Sequence, residues 1–295
     1  MKRRFILLIL TALLTCSTVS CDDFNYSSKM DSFITEYSKT NLEAPSMKET
    51  NIIEGGEMIE LFGCKAEELD SSMSSQEVTD YYIKAYEQSR GSGNTPVILA
   101  LSDRLKSTIE EAPYGEYDSP DEFRKAMLSA DTSNGKELFE NGYNELKAEY
   151  DGDKMLIEDE EEFEELLALG DISFHLFPGV SEADQMSDSG VYLIYIPTET
   201  PWEVLAWLPF GGWNDCPDTL EMLSGCRYWY EEYNAIPAFI SSDMLMFYLP
   251  EPIVNKDIAR QIAREHCTFC YDNLGGLNLE ALLILNSNVW KFWWD

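Results

Sequence analysis

The sequence predicts an α/β or α+β fold in which helices pack against a mixed sheet, preceded by a signal peptide and a flexible tether. Hydrophobic residues make up 44% and aromatic residues 13% of the 295 residues, which is enough for a sizeable core and excludes a disordered chain. Runs with strand patterning alternate with runs of helical periodicity from about residue 76 onward. All seven tryptophans lie between residues 202 and 294, so we expect the C-terminal part to be the more densely packed.

The first twenty residues have the pattern of a signal peptide. Basic side chains at positions 2–4 precede an apolar run, residues 5–14, that is too short to span a bilayer well. The segment 18–21 resembles a bacterial lipobox, with a small residue before Cys21. We therefore expect an exported protein that is lipidated at Cys21 and attached to the membrane through that anchor alone. Ordinary secretion and an uncleaved anchor are the alternatives.

Composition divides the rest of the chain into three parts. Residues 21–75 are rich in Ser, Glu, Thr, Asn and Met and have weak periodicity, which is typical of a tether followed by a poorly defined start of the fold. Residues 76–170 are predicted to form an acidic α/β N-terminal region. Residues 171–295 are predicted to form a tryptophan-rich C-terminal module.

Strand and helix patterns alternate in the N-terminal region. An apolar face recurs through a helix predicted over 76–90, and a glycine-rich turn separates this helix from a buried strand over 96–101. Ser119 is a suitable N-cap for a later helix, because Pro120 then occupies the first helical position. Helices are predicted over about 102–111, 120–130 and 134–150.

An acidic run ends this region, with seven acids among the eight residues 158–165. It lacks the spaced ligands and the turn glycine of an EF-hand, so a calcium site is not favoured. Phe163, Leu166 and Leu167 form one apolar stripe along the run. The pattern therefore predicts a solvated helical face or a hinge.

The C-terminal module contains further strands and helices of ordinary length. Pro217 and Asp218 begin a helical pattern, and the glycine pair at 275–276 separates two later elements. In an extended terminal segment Trp293 and Trp294 point to opposite faces, so one ring should be buried and the other partly exposed. Strands are predicted over 191–196, 236–241, 244–249 and 289–294, and helices over about 217–233, 256–270 and 279–285.

The charge balance restricts the possible partners. The chain has 54 acidic and 21 basic residues and a net charge of −33. Binding of nucleic acid and electrostatic docking on anionic lipid both need clustered Lys and Arg, so neither is expected. A basic protein remains a possible partner.

Five motifs follow one another in the C-terminal module, and their joint order is highly specific. They are Pro-Thr-x-x-Pro-Trp-Glu-Val-x-Ala-x-Leu-Pro-Phe-Gly-Gly-Trp-Asn-x-Cys-Pro at 197–217, Tyr-Trp-Tyr at 228–230, Ala-Ile-Pro-Ala at 235–238, Phe-Cys-x-Asp at 269–272 and Phe-Trp-Trp-Asp at 292–295. Together they resemble the bacterial family named domain of unknown function 4253, most clearly over residues 190–295 and more loosely over 76–150.

The resemblance implies a domain assignment and almost no mechanism. Because it covers both regions, it implies that they share one sheet. This chain departs from the family pattern at Tyr271, where a proline is expected, and at Cys267, where an ordinary aromatic or aliphatic residue is expected. Any site that uses two cysteines in this region is therefore peculiar to this chain.

Two functional hypotheses follow, and the sequence leaves open whether the protein is an enzyme. The first is a non-catalytic binding or interaction module at the cell envelope, because no recognisable catalytic set is present. The alternative is an envelope hydrolase or metal-dependent enzyme that uses the 209–217 loop and the 265–272 helix end. The residues of that candidate site are Trp213, Asn214, Cys216, Glu265, Cys270 and Asp272.

The cysteines allow three interpretations. His266, Cys267 and Cys270 together with Cys216 are residue types that bind zinc, but their spacing matches no common zinc motif. A disulfide between Cys216 and Cys270 is possible in an exported protein. Buried thiols are favoured over both, because Cys226 and Cys270 lie on apolar faces. We therefore expect no metal and no cofactor.

The acids and the histidine near the aromatic motifs also have structural interpretations. Asp272 and Asp295 could pair with Arg260 or Arg264, while a glycosidase would need two such carboxyls facing each other across a sugar. His266 lies on the core side of its predicted helix, so a buried, hydrogen-bonded histidine is favoured over a catalytic base.

Overall fold

The computed structural model describes residues 53–54, 64–111, 117, 119–168, 170, 172–187, 189–271 and 275–294. The predicted signal peptide, the lipidation residue Cys21 and most of the predicted tether lie outside these ranges. Asp272 and Asp295 also lie outside them. The described residues belong to one compact unit, residues 52–295.

Seven strands form one mixed sheet, which confirms the predicted α+β class. Their order is β1-β2-β4-β3-β5-β6-β7. β3 and β5 are parallel, and the other neighbouring pairs are antiparallel. The sheet therefore runs through both predicted regions. The strands are β1 (Ile53–Glu54), β2 (Lys65–Glu68), β3 (Thr95–Ala100), β4 (Val191–Ile196), β5 (Ile236–Ile240), β6 (Met244–Tyr248) and β7 (Val289–Trp293).

Ten α-helices and three short 3₁₀ helices are present in the described ranges. No α-helix among them is both long enough and apolar enough to cross a membrane. The α-helices are α1 (Ser75–Ser89), α2 (Asp103–Glu111), α3 (Pro120–Ser129), α4 (Gly135–Glu149), α5 (Glu160–Leu167), α6 (Val180–Ala183), α7 (Val204–Trp207), α8 (Thr219–Tyr233), α9 (Lys256–Phe269) and α10 (Leu277–Ile284).

The helix α3 begins as the sequence predicts. The Ser119 side chain accepts a hydrogen bond from the Glu122 N–H at 3.3 Å, and Pro120 is at the first turn of α3. Proline is tolerated there because its missing N–H would have no partner within the helix. Local capping chemistry therefore determines this boundary.

Helices cover both faces of the sheet, and successive side chains of each strand point to one face and then the other. In β6, Met246 faces the cluster that contains Tyr82 of α1, whereas Phe247 faces Trp229 of α8. Trp229 is 0% exposed and lies 4.8 Å from the ring centroids of both Phe139 and Phe269. One aromatic side chain thus joins α4, α8 and α9 to the sheet.

The buried side of α8 agrees only in part with sequence periodicity, which predicts Leu220, Leu223, Cys226, Tyr230 and Tyr233 along one side. Leu223 and Cys226 are buried, whereas the other three are only partly buried. The fully buried positions centre on Met222, Cys226 and Trp229, which recur at helical spacing. Trp229 has the largest apolar surface of the group, so the helix turns that side towards the sheet.

The predicted tether and start of the fold, residues 21–75, contains a paired strand. β2 pairs with β4 in antiparallel register, from Lys65 with Tyr195 to Glu68 with Tyr192. Its Glu67 carboxylate is buried and accepts a hydrogen bond from the Tyr81 hydroxyl at 2.5 Å. Strand length and charge together concealed this element from pattern analysis, because four residues with three charged side chains lack strand periodicity.

The acidic run is docked on α9 by ion pairs, in addition to its predicted apolar stripe. Phe163, on the apolar stripe of α5, is 0% exposed. Arg260 and Arg264 pair with carboxylates of the acidic run, whereas Asp272 and Asp295, which were possible partners, lie outside the described residues. The three pairs are Glu158 with Arg264, Glu160 with Arg260 at 2.6 Å and Glu164 with Lys256 at 2.8 Å.

A close approach between α4 and α8 requires a glycine at position 135. A Cβ atom there would lie 2.2 Å from the Ser224 carbonyl oxygen and 2.8 Å from Tyr228 Cβ. Alanine normally stabilises a helix by about 0.5–1 kcal/mol over glycine. We expect Gly135→Ala to destabilise the protein instead, by about 1–3 kcal/mol, because a backbone oxygen cannot move away freely. Denaturant unfolding measures this difference.

The matched control is Asn144→Ala, an exposed position on the same helix. We expect this variant to be as stable as the wild type or slightly more stable, because alanine is the better helix former. A Gly135→Ala protein that is more stable than wild type would contradict the close packing of the two helices.

Candidate functional site

α9 positions most of the polar side chains of interest. It begins where the Asn255 side chain accepts hydrogen bonds from the Asp257 and Ile258 N–H groups at 2.9 and 3.1 Å. Its inner face is apolar, with small and branched residues such as Ala259 and Ile262 fully buried. The helix therefore has a fixed rotation about its axis, which points Glu265 and His266 in two defined directions.

Glu265 is a buried carboxylate held by three neutral donors. It is 7% exposed and accepts hydrogen bonds from the Trp229 Nε1–H at 2.8 Å, the Tyr228 hydroxyl at 3.1 Å and the Gln261 Nε2–H at 2.9 Å. Burial raises the pKa of Glu265 above its usual value, and the three hydrogen bonds oppose that shift. The ionised carboxylate is therefore stabilised by its hydrogen bonds, but burial destabilises it relative to the protonated form.

The outer side of Glu265 opens towards solvent through two tyrosines and a glutamine. Tyr228 and Tyr233 are half-buried and Gln261 is exposed. The Gln261 Nε2 atom is 3.1 Å from the Tyr233 hydroxyl and 3.4 Å from the Tyr228 hydroxyl. Burial raises the pKa of Tyr228 to about 12 and raises the pKa of Tyr233 further. Both phenols are therefore neutral hydroxyl groups at neutral pH.

His266 is buried and hydrogen-bonded, as the sequence predicts. Its Nδ1 lies 2.8 Å from Glu280 Oε1 of α10, and its ring is 3% exposed. The rings of Trp290 and Phe292 lie edge to face with it at 4.7 and 4.6 Å. Its Nε2 has no hydrogen-bond partner among the residues that the structure describes. Because aromatic rings enclose the imidazole, its position favours a structural role.

The five cysteines of the described ranges are buried thiols, which is the interpretation that the sequence favours. The Cys270 Sγ–H donates to the Trp293 carbonyl oxygen at 3.0 Å. Burial raises the pKa of Cys267 to about 12 and raises that of Cys226 further, so neither is a reactive thiolate at neutral pH. Within the described ranges, no three His, Cys, Asp or Glu side chains are grouped to hold a metal ion.

The 209–217 loop closes on itself through its backbone. The Gly212 N–H donates to the Pro217 carbonyl oxygen at 2.9 Å, and the Cys216 N–H donates to the Trp213 carbonyl oxygen at 2.9 Å. Gly211 has a φ of +99°, and a Cβ atom there would lie 1.9 Å from the Pro217 oxygen. The glycine pair therefore serves the turn itself, and the Gly212 amide is not available to bind an anion.

The loop and the end of α9 meet through aromatic rings. Phe210 lies 4.8 Å from Trp213 and 5.5 Å from Trp294, and Trp294 lies 5.7 Å from Phe269. Trp294 is 1% exposed, while Trp293 is partly exposed and donates its indole N–H to Asp243 at 3.2 Å. The predicted difference between the two terminal rings is therefore confirmed.

The described candidate residues have separate surroundings. Asn214 is exposed with a φ of +48°, Cys216 is buried in the loop, and Cys270 is bonded to β7. The hydrogen bonds of Glu265 go to α8 and α9. Trp213 packs on Phe210, and Asp272 lies outside the described residues. The polar groups of this set are thus distributed over several local networks.

Sequence reasoning missed the partners of the two buried polar groups. Gln261 precedes Glu265 by four residues, so helical spacing could have identified this pair. Tyr228 and Trp229 belong to a motif that carries the family resemblance, but nothing in the motif indicates which carboxylate they bind. Glu280 lies on another helix, and no local pattern connects it to His266.

The raised pKa of Glu265 has a consequence for stability. The folded protein retains this proton to a higher pH than the unfolded chain, whose glutamate has the usual value of about 4.5. Stability contributed by Glu265 must therefore fall as the pH rises above 4.5 and level off above the folded pKa. We expect Glu265→Gln to become more stable relative to the wild type over this interval, and urea unfolding between pH 4 and pH 7 measures the difference.

Many other acids titrate over the same interval, so the informative quantity is the difference between the two proteins. Glu145→Gln removes one exposed carboxylate and is the matched control. Its stability difference from the wild type is expected to stay nearly constant with pH. A wild-type protein that gains stability relative to Glu265→Gln from pH 4.5 upward would show that the Glu265 pKa is lowered by folding.

Comparison with known proteins adds one finding to this geometry. No curated protein and no solved structure matches the chain. A match to a protein family covers residues 192–295, a segment that contains Trp213, Glu265, His266 and the two tyrosines beside Glu265. The matching family model is described as Domain of unknown function (DUF4253), and the match confirms the resemblance seen in the sequence motifs.

Proposed function

We propose that the protein is a non-catalytic binding or interaction module of the cell envelope, and that its partner is a basic protein. The observation that carries this proposal is the large excess of exposed acids in one segment of the fold. Residues 137–165, which include most of α4 and all of α5, contain thirteen acids and two bases. All of these acids except Asp153 are exposed.

The basic residues of the fold do little to offset this excess. Among the described residues four of the thirteen carboxylates have ion-pair partners, since Glu158, Glu160 and Glu164 pair with bases of α9 and Glu140 pairs with Lys136. Bases elsewhere pair with their own acidic neighbours, as Arg227 does with Glu231. A surface with this excess of one sign accelerates and selects encounters with oppositely charged proteins.

The surroundings of the candidate catalytic residues also support a binding role. The thiols of Cys216 and Cys270 are buried, and Glu265 is bonded to side chains of the fold itself. A hydrolase needs a nucleophile or a base within reach of a substrate. The hydrolase hypothesis therefore has less support than the binding hypothesis.

An envelope location completes the proposal. Lipidation of Cys21 would anchor the folded unit at the membrane surface through the preceding segment, and the acidic surface could then meet partners there. Lipid attachment through two or more acyl chains gives stable anchoring, whereas one chain gives only marginal binding.

The partner is tested by pull-down from native membranes at low salt. We expect a basic protein to be retained and to be released between low and moderate salt, because screening weakens contacts between exposed charges. Removal of two exposed acids of α5, by Glu161→Gln with Glu165→Gln, should lower retention. Removal of two exposed acids of α1, by Asp80→Asn with Glu87→Gln, should not. Retention of nothing above background at low salt would contradict the proposal.

The anchor is tested by fractionation in a bacterial host. We expect the wild-type protein to sediment with membranes, and both Cys21→Ala and treatment with globomycin to leave an unprocessed precursor. Cys16→Ala is the control and should be processed normally. Identical processing of the Cys21→Ala and wild-type proteins would exclude lipidation at Cys21.

A further inference from the structure

We propose that Glu265, Tyr228 and Tyr233 form a binding site for a primary ammonium group, here called the ammonium cradle. The cradle consists of three oxygen atoms, namely Glu265 Oε1 and the two tyrosine hydroxyls. It deepens the proposed function, because it names the chemical group by which a basic partner would be recognised. The inference rests on that function only for the source of the ammonium group.

The position of the Gln261 amide nitrogen indicates what the cradle can hold. This single nitrogen is 2.9 Å from Glu265 Oε1, 3.1 Å from the Tyr233 hydroxyl and 3.4 Å from the Tyr228 hydroxyl. An amide nitrogen has two hydrogens, whereas an ammonium group has three hydrogens and a positive charge. An ammonium nitrogen at the same point can therefore donate to all three oxygens at once.

The charge of Glu265 supplies a reason for a cation to bind. Within the described part of the chain, no Lys, Arg or His nitrogen lies within 4.0 Å of this carboxylate. The two nearby bases have other partners, because Arg264 pairs with Glu158 and His266 pairs with Glu280. A buried carboxylate with only neutral donors bears a desolvation cost that a counter-charge reduces.

The neighbouring groups favour a cation over a neutral ligand. Glu232 is exposed, and its charge helps to raise the pKa of both tyrosines. The field at the cradle is therefore negative.

Access to the cradle requires the movement of one side chain. Gln261 is exposed and occupies the outer side of the cradle, while Tyr228 and Tyr233 are half-buried. Rotation of an exposed glutamine away from the site involves no change in the backbone. The arriving ammonium group replaces the amide nitrogen, so Gln261 competes with the ligand.

Binding is measured with n-butylammonium chloride as the probe. The Trp229 indole N–H donates to the same carboxylate, so its resonance in a ¹H–¹⁵N spectrum reports directly on the cradle. We expect a saturable shift with the wild-type protein at neutral pH. Glu265→Gln removes the counter-charge and should weaken binding by about tenfold or more, which corresponds to about 1.4 kcal/mol or more. Gln261→Ala removes the competing amide and should tighten binding by about threefold.

Three controls separate recognition from general charge effects. n-Butanol has the same chain without the charge and should give no saturable shift. Glu87→Gln removes one exposed carboxylate of α1, outside the acidic segment, and should bind the probe as the wild type does. Should Glu265→Gln fail to fold, Tyr233→Phe removes only one hydroxyl oxygen and should weaken binding by about threefold. Equal binding by all variants, or no saturable shift with Gln261→Ala, overturns the cradle.

The source of the ammonium group is distinguished with two further probes. A peptide with one free lysine and its Nε-acetylated counterpart test a protein source, and spermidine tests a free amine. If the lysine peptide binds and its acetylated counterpart does not, a protein lysine is supported as the source of the ammonium group. If spermidine binds and the lysine peptide does not, that source is overturned.

If a basic partner is retained equally by wild type and Glu265→Gln, the proposed function holds and the cradle's role in it is overturned. If butylammonium binds and no partner is retained, the cradle holds and the proposed function fails.

Discussion

The hydrogen bond from the Trp229 indole to Glu265 is the interaction on which the tryptophan-rich module depends. Trp229 lies at the centre of the aromatic core, where its N–H cannot reach water. An acceptor stabilises a buried indole N–H, and the acceptor that α9 supplies to Trp229 is a carboxylate. That carboxylate must then be buried as well, and Tyr228 and Gln261 supply its remaining donors. The packing of one ring thus creates the polar network at the surface.

The same helix shows how the protein distributes its few bases. Lys256, Arg260 and Arg264 lie on one side of α9 at intervals of one turn and hold the acidic run by ion pairs. Exposed pairs of this kind contribute little stability each, typically below about 1 kcal/mol. Each pair balances one carboxylate of the acidic run, so the net negative charge of the run comes from its four other acids, Asp159, Glu161, Glu162 and Glu165. Docking of α5 and surface acidity are therefore linked.

Pattern analysis of the sequence succeeded where local chemistry decides the structure. The capped start of α3 at Ser119, the strand β4 and the different faces of Trp293 and Trp294 all follow from short-range rules. It missed β2, whose four residues are largely charged and are held by pairing with a strand far along the chain. It identified Glu265 as a residue of interest but not its partners, because α8 and α9 meet only in the tertiary structure. The remaining information lies in contacts between elements, which a single sequence does not display.

The strand order has a consequence for the time at which the protein can fold. β4 lies between β2 and β3, and Ile194 pairs with both Ala66 and Val97. A growing chain that ends before residue 191 therefore contains β2 and β3 but lacks β4, the strand that separates and joins them. Pairing of β3 with β5 requires still later residues, since Ile98 meets Phe239. Non-local pairing of this kind delays sheet formation until most of the chain has been made. Until then β3 has no partner strand, and an unpaired strand is a site at which chains associate.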